Sequence, residues 1–303
     1  MKKIIAIVLA ALMVCCLFAG CNKTDSDTTT GADDTTTAAD GTTAPAAEGV
    51  VKVIDIPLTD ELYAFGVKKD DPELLASVNS FIADIKSDGT LDKVINSYFG
   101  DGEKKGVTSA AEDSSADQLI ITTNAAFPPF EYLEGDTYYG IDIELAALLA
   151  EKLNKQLVIK NIEFDSVCTT VGSGYADIAI AGLTINEKRT EFVTFSDSYY
   201  TASQLVIVPT DDTTFDACKQ ASDVEAILKT FDNTKKIGVQ TGTTAQYYVK
   251  GDADWGFDGF ATDCKGYDSG ALAVQDLINK NLDLVIIDQA PAQYIVNSIN
   301  SVN

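Results

Sequence analysis

Histidine is absent from all 303 residues. Ser–His and Cys–His nucleophile pairs and imidazole-ligated metal sites are therefore excluded. Positive charge is scarce: 22 Lys and Arg stand against 46 Asp and Glu, for a net charge of −24. Nucleic acid and anionic lipid surfaces both call for basic patches, so neither is an expected partner. Cysteine is thin as well. Of the six, Cys15 and Cys16 lie in the first apolar stretch, which leaves Cys21, Cys168, Cys218 and Cys264. Their spacing fits no zinc motif, and neither metal nor cofactor is expected. A Cys218–Cys264 disulfide is conceivable in an oxidising compartment, but sequence alone leaves it open.

Lys2 and Lys3 precede an apolar run from Ile4 to Ala19. The run is short for a membrane span and reads as a signal peptide, residues 1–20. Small residues ahead of Cys21 resemble a bacterial lipobox, with Cys21 as the lipidated first residue of the mature chain; cleavage removes the two lysines and takes the charge from −24 to −26. Residues 21–49 are mostly Thr, Asp, Ala and Gly, with no aromatic side chain. Such a stretch buries too little to offset its ordering entropy and reads as a disordered tether with a reach on the order of 30 Å. An extracytoplasmic, lipid-anchored protein is the expectation.

From Val50 onward apolar runs alternate with helical periodicity. Strands are expected at Val50–Ile56 and Leu62–Val67, then a helix capped by Asp71 with Pro72 at its first position, and a second short helix ending at Gly100. Residues 101–118 are charged, Ser/Ala-rich and unpatterned, and read as a linker. Further strands fall at Leu119–Thr122, Leu157–Ile162, Ile178–Ile180, Phe192–Phe195, Gln204–Val208, Ile237–Gln240 and Leu282–Ile287. Helices fall at Gly140–Asn154, Asp165–Val171, Thr243–Tyr248 and Ala271–Asn279, and a last one is led by Pro291. Two prolines hold the aromatics of Phe127-Pro-Pro-Phe-Glu-Tyr on a fixed loop. Strands alternating with helices imply an α/β fold with largely parallel sheets, which bind ligands at the carboxyl ends of their strands.

One such end stands out. The strand at Ile178–Ile180 runs into Ala181-Gly-Leu-Thr-Ile-Asn-Glu-Lys-Arg189. Thr184 and Glu187 have capping-box spacing, so a helix is expected to start there. Free N–H groups at a helix start attract an anion, and Arg189 about one turn on would grip a carboxylate with two parallel hydrogen bonds. Thr243 and Asp288 occupy comparable positions after later strands.

The motifs Gly140-Ile-Asp-Ile-Glu-Leu145, Phe164-Asp-Ser, Ala181-Gly-Leu-Thr184 with Arg189, Gln240-Thr-Gly-Thr243 and Asp288 follow one another. In this order they resemble the family 3 extracellular solute-binding proteins, the amino-acid receptors of ABC importers. The resemblance implies a two-lobed periplasmic-binding-protein type II fold with two crossing hinge strands. It implies a non-catalytic, monomeric receptor that closes over a free amino acid and delivers it to a membrane permease. Carried over, Thr184, Arg189, the Gly182 backbone and Thr243 would hold the ligand carboxylate, Asp288 its ammonium, and Phe127 and Phe164 would sandwich its side chain. Asn124 stands where family members that bind Lys or Arg commonly carry an aspartate. The charge is missing here, which points to a neutral or polar amino acid such as glutamine or cystine. Two other readings share the scaffold: a cyclohexadienyl or arogenate dehydratase, for which Glu131 is a conceivable acid, and a ligand-sensing receptor.

The order of parts is unusual. Asp60-Glu-Leu-Tyr-Ala-Phe-Gly-Val through Tyr98-Phe-Gly100 resembles the family's carboxyl-terminal segment, yet it precedes the strand at Leu119 and does not recur after Asp288. The chain is therefore expected to be a circular permutant. One lobe would combine residues 50–61 with 205–303 and the other would span 62–203, with 101–118 bridging the ancestral termini.

Overall fold

The computed structural model describes residues 49–100 and 102–302. The expected leader, Cys21 and nearly all of the tether lie outside them. The chain opens with β1 (Val51–Ile54), β2 (Glu61–Tyr63) and β3 (Gly66–Lys68), then α1 (Pro72–Ser87) and α2 (Thr90–Phe99). The Asp71 carboxylate caps α1 by accepting the Leu74 N–H at 2.8 Å, and Pro72 sits where its missing donor costs nothing. Next come β4 (Gln118–Thr123), β5 (Ala126–Phe127), β6 (Glu131–Glu134), β7 (Thr137–Tyr139), α3 (Ile141–Lys152), β8 (Gln156–Asn161), α4 (Val167–Gly172) and β9 (Ile178–Ala179). The middle of the chain gives β10 (Val193–Phe195), β11 (Tyr200–Ala202), β12 (Gln204–Pro209), α5 (Ala221–Leu228), β13 (Lys236–Gln240) and α6 (Thr244–Lys250). The last elements are β14 (Asp263–Tyr267), α7 (Gly270–Ile278), β15 (Leu284–Asp288) and α8 (Gln289–Asn300).

These strands build two five-stranded sheets. One has the order β1-β12-β15-β13-β14, the other β10-β3-β9-β4-β8. We call them the β15 sheet and the β4 sheet. The most buried strands read as apolar runs, Leu284-Val-Ile-Ile and Leu205-Val-Ile-Val, because both faces are covered. On the β15 sheet, Ala273, Val274, Ile295 and Val296 of α7 and α8 pack on one face. Val224, Leu228, Ala245 and Val249 of α5 and α6 pack on the other. On the β4 sheet, α3 adds Ile143, Leu145 and Leu149, while Val167 and Val171 of α4 close the opposite face.

The two sheets are joined twice. The chain leaves β1 in the β15 sheet, passes through β2 and enters the β4 sheet at β3; it returns from β10 through β11 to β12. β2 and β11 pair with each other antiparallel, Tyr63 opposite Tyr200 and Glu61 opposite Ala202. The crossing is thus a two-stranded ribbon. The expected strand at Leu62–Val67 divides in two, because Ala64 and Phe65 carry the chain from ribbon to sheet.

Other expectations need correction. Residues 184–188 form no helix. Thr184 is bridged to Tyr63, the Asn186 side chain takes the Lys188 N–H at 2.8 Å, and the only helical stretch is the 3-10 turn Arg189–Glu191. Local capping chemistry loses there to long-range partners. Residues 126–134 hold a short hairpin, β5 on β6, with the prolines at its tip. The stretch read as a linker is bound along its length. Val107 and Tyr138 exchange backbone hydrogen bonds, the Ala110 N–H reaches the Leu157 carbonyl at 2.9 Å, and the Ser109 hydroxyl takes the Ile159 N–H at 2.8 Å. α5 and β14 were not expected from the sequence. Cys218 and Cys264 are free thiols packed against the apolar cluster of the β15 sheet.

β3 lies between β10 and β9 in the interior of the β4 sheet. A chain cut to residues 119–303 loses β1, β2, β3, α1 and α2, and with them a central strand and its cover. It should give no cooperative melt by circular dichroism; a sharp transition in that fragment would show that the first hundred residues are dispensable.

Candidate functional site

Strand carboxyl ends from both sheets converge beside the crossing ribbon. β15 delivers Asp288, β13 delivers Gln240 and the start of α6, β9 leads into Gly182–Thr184, and β4 ends next to Asn124. Two glycines let the loops close. Gly182 has φ +53° with the Phe127 and Tyr63 rings where a Cβ would sit; Gly242 has φ +78°, and a Cβ there would lie 2.9 Å from Asp165.

The β15 and β4 sides touch at several points. Gln240 Nε2 donates to Asn124 Oδ1 at 3.0 Å, and Asn124 Nδ2 donates to the Ile162 carbonyl at 2.8 Å, so the Asn124 amide is used at both ends. Arg189 donates to the carbonyls of Thr184 (2.8 Å) and Gly242 (3.2 Å). Its guanidinium lies between two aromatic faces, 5.2 Å from the Phe164 ring and 5.1 Å from Trp255. Lys188 pairs with Asp252 at 2.7 Å and Asp254 at 3.2 Å. A cavity of about 220 Å³ opens along this edge, lined by Phe164, Leu183, Arg189, Gly242, Tyr247 and Trp255 among others. Of the residues expected to bind a ligand, Phe164, Arg189 and no other border it.

The inner part is a set of buried carboxyls. Glu61 accepts four hydrogen bonds: at Oε1 from Thr59 (2.6 Å) and Gln204 (2.8 Å), and at Oε2 from Thr184 (2.6 Å) and Thr244 (2.7 Å). Asp288 accepts from the Tyr63 hydroxyl. Asp142 accepts from Tyr199 at 2.6 Å and from the Gly182 N–H at 2.7 Å. Glu131 lies against Asp142, and neither of its carboxyl oxygens accepts a hydrogen bond from a donor group. Among the described residues no Lys or Arg joins these bonds. Burial raises Asp288 to about 7, with the nearby Glu61 charge adding to the effect and the Tyr63 bond opposing it. Burial likewise raises Asp142 to about 6 against its bonds from Tyr199 and Gly182 and its contact with Glu131. Burial first, then the charge of Asp142, pushes Glu131 well above the carboxylate range.

Several expectations change here. The Gly182 N–H is already taken by Asp142, so it is not a free donor for a ligand. The Thr184 hydroxyl serves Glu61 rather than a helix end. Thr243 does head α6, but its hydroxyl donates to the Gln240 carbonyl at 2.8 Å. Phe127 packs on Phe130 with ring centroids 6.1 Å apart, and Asn124 braces Gln240. Glu131, the conceivable acid, is fully buried and borders none of the cavities described. Glu61, Tyr63, Asp142 and Thr244 were not singled out from sequence. The one available signal was a carboxylate at the head of a strand otherwise apolar.

Comparison with known proteins bears on this geometry. The model of the bacterial extracellular solute-binding proteins, family 3, matches residues 11–101 and 119–289. The arginine-binding extracellular protein ArtP of Bacillus subtilis (strain 168) is 30% identical over 188 residues, 62% of this chain and 68% of that protein. Among solved structures, an ancestral arginine-binding protein bound to glutamine is 33% identical with a TM-score of 0.50, covering 60% of this chain and 74% of that one. The ancestral amino acid-binding protein AncCDT-1, a precursor of cyclohexadienyl dehydratase, is 25% identical with a TM-score of 0.51, covering 69% and 78%.

The carboxyl cluster predicts a pH dependence of stability. Asp142, Asp288 and Glu131 hold protons in the folded state that the unfolded chain has released between about pH 4 and pH 7. Stability therefore falls as pH rises through that window. Aspartates with lowered values, such as the half-buried Asp71 and the exposed Asp232, act with the opposite sign below about pH 4. The melting temperature should be higher at pH 5 than at pH 8, and Asp288→Asn should flatten the difference. A melting temperature that climbs from pH 5 to pH 8 would contradict the assignment.

Proposed function

Because the chain belongs to the family 3 bacterial extracellular solute-binding proteins, we propose that it is an amino-acid receptor feeding an ABC permease, anchored by lipid at Cys21. The ligand carboxylate would be held by Thr184, Arg189 and Thr243, and the ammonium by Asp288. Phe127 and Phe164 would flank the ligand side chain. Arg189 uses two of its five N–H donors on carbonyls, which leaves a forked edge for a carboxylate. The observation that carries the reading is Asp288. It is a buried carboxylate at a strand end with a raised pKa and no Lys or Arg partner, and an ammonium would complete it.

The side-chain class follows from Asn124. An amide whose two ends are spent on Gln240 and Ile162 offers no charge to a cationic side chain, which favours a neutral or polar amino acid. Glutamine and cystine remain the candidates. The relatives reported above are named for binding, and the burial of Glu131 weighs against a dehydratase on this scaffold. Among the described residues no helix is long and apolar enough to cross a membrane.

The chain order supports a circular permutation. β1 lies in the β15 sheet beside β12, and the stretch that resembles the family's carboxyl-terminal end supplies β3 to the other sheet. The family match breaks into two stretches on either side of residues 102–118. The ArtP alignment of 188 residues is close in length to the 185 residues from 119 to 303.

A thermal-shift screen of the purified mature protein against the twenty amino acids and cystine tests the receptor reading, since a ligand at 100 times its Kd stabilises by about 2.7 kcal/mol. Arg189→Ala and Asp288→Ala should each weaken the hit by roughly 2–5 kcal/mol in calorimetry, because each leaves a buried ligand charge unpaired. Affinities within a few-fold of wild type would remove both from the site. Asn124→Asp should improve Lys and Arg relative to neutral amino acids; tight arginine binding by the wild type would sink the neutral-ligand assignment.

A further inference from the structure

Glu61 is not a residue that the receptor reading uses, yet it makes the densest set of contacts in the site. It sits on β2, in the ribbon that joins the two sheets. Its Oε2 is gripped by one hydroxyl from each side: Thr184, after β9 of the β4 sheet, and Thr244, the first residue of α6 on the β15 sheet. The two hydroxyls lie 3.3 Å apart, so a single oxygen satisfies both. Oε1 is held by Thr59 and Gln204, on the stretches that lead into and out of the ribbon. The carboxylate is 5% exposed.

A carboxylate bound by hydroxyls from both sides does what the carboxylate of a closing ligand would do. We propose that Glu61 is an internal latch, a carboxylate that holds the two sides together without ligand through the Thr184–Thr244 hydroxyl pair and competes with the ligand's carboxylate for Thr184. The competition rests on the receptor reading; the latch itself does not. A ligand must displace Glu61 from Thr184 before that hydroxyl turns to its own carboxylate. The latched form therefore lowers apparent affinity by the fraction of molecules it occupies.

Small-angle X-ray scattering on the ligand-free protein tests the latch directly, comparing wild type with Glu61→Ala and Thr244→Val. Wild type should be compact and both variants expanded, with circular dichroism showing all three folded. Identical scattering curves, or a wild type as expanded as the variants, would overturn the proposal. If Glu61→Ala does not fold, Thr244→Val decides alone, since it removes one hydroxyl and keeps the volume. Calorimetry with glutamine and with arginine tests the competition. Glu61→Ala should bind whichever probe the wild type binds roughly tenfold tighter, the equivalent of one charge-assisted hydrogen bond. Loss of binding in Glu61→Ala would overturn the competition and make Glu61 a ligand contact. If no amino acid binds wild type or variant, the receptor reading fails, while the scattering comparison still judges the latch.

Discussion

Burying a carboxyl group away from any cation is costly, and the region around the crossing ribbon does it four times, at Glu61, Glu131, Asp142 and Asp288. Each is handled differently. Glu61 accepts from four donors, Asp142 from two and Asp288 from a tyrosine hydroxyl; Glu131 accepts none, lies against Asp142 and sits well above its ordinary titration range. Several segments meet here to supply those donors. The turn after β9 brings the Gly182 N–H to Asp142 and the Thr184 hydroxyl to Glu61, and α6 begins where Thr244 completes the set. The ribbon is fixed by Glu61 and Tyr63, which lie two residues apart on one strand and so share its buried face: Tyr63 reaches Asp288 and Glu61 the hydroxyl pair.

The same arrangement explains why the cleft is polar inside and aromatic at its edge. Arg189 and Lys188 are kept away from the carboxyls and spent on Phe164, Trp255, Asp252 and Asp254, where the two sides meet in partly exposed contacts. Exposed ion pairs such as those of Lys188 contribute little individually. The outer edge is therefore easy to open, whereas the inner set, with its short buried bonds, carries the preference for one arrangement.

Much of this was legible in the sequence. Apolar runs such as Leu284-Val-Ile-Ile marked buried strands, Asp71-Pro72 marked a helix start, and the unusual order of parts led to β1 being expected in one sheet with β13 and β15, where it lies at the edge beside β12. Position in sequence also brought Arg189, Thr184 and Asp288 to one region. The misreadings have a common cause. Thr184 and Glu187 carried local capping spacing, but the hydroxyl of Thr184 is claimed by a residue 123 positions away, and Thr244 by the same residue at 183. No window of neighbouring residues contains that information. Glu61 fell just outside the strand expected from Leu62, and three of its four partners, Thr184, Gln204 and Thr244, come from distant segments. α5 and β14 were missed for a simpler reason: their faces are only half apolar, with Val224 and Leu228 the buried residues of α5.

The bound stretch before β4 has a consequence for the chain in solution. β8 is the outermost strand of the β4 sheet, and an uncovered outer strand presents a row of free N–H and C=O groups that another chain would extend. Ser109 and Ala110 engage the Ile159 N–H and the Leu157 carbonyl, and Val107 continues the cover onto β7. A segment with the composition of a spacer thus acts as a selvedge, finishing the sheet so that it does not unravel into neighbouring molecules.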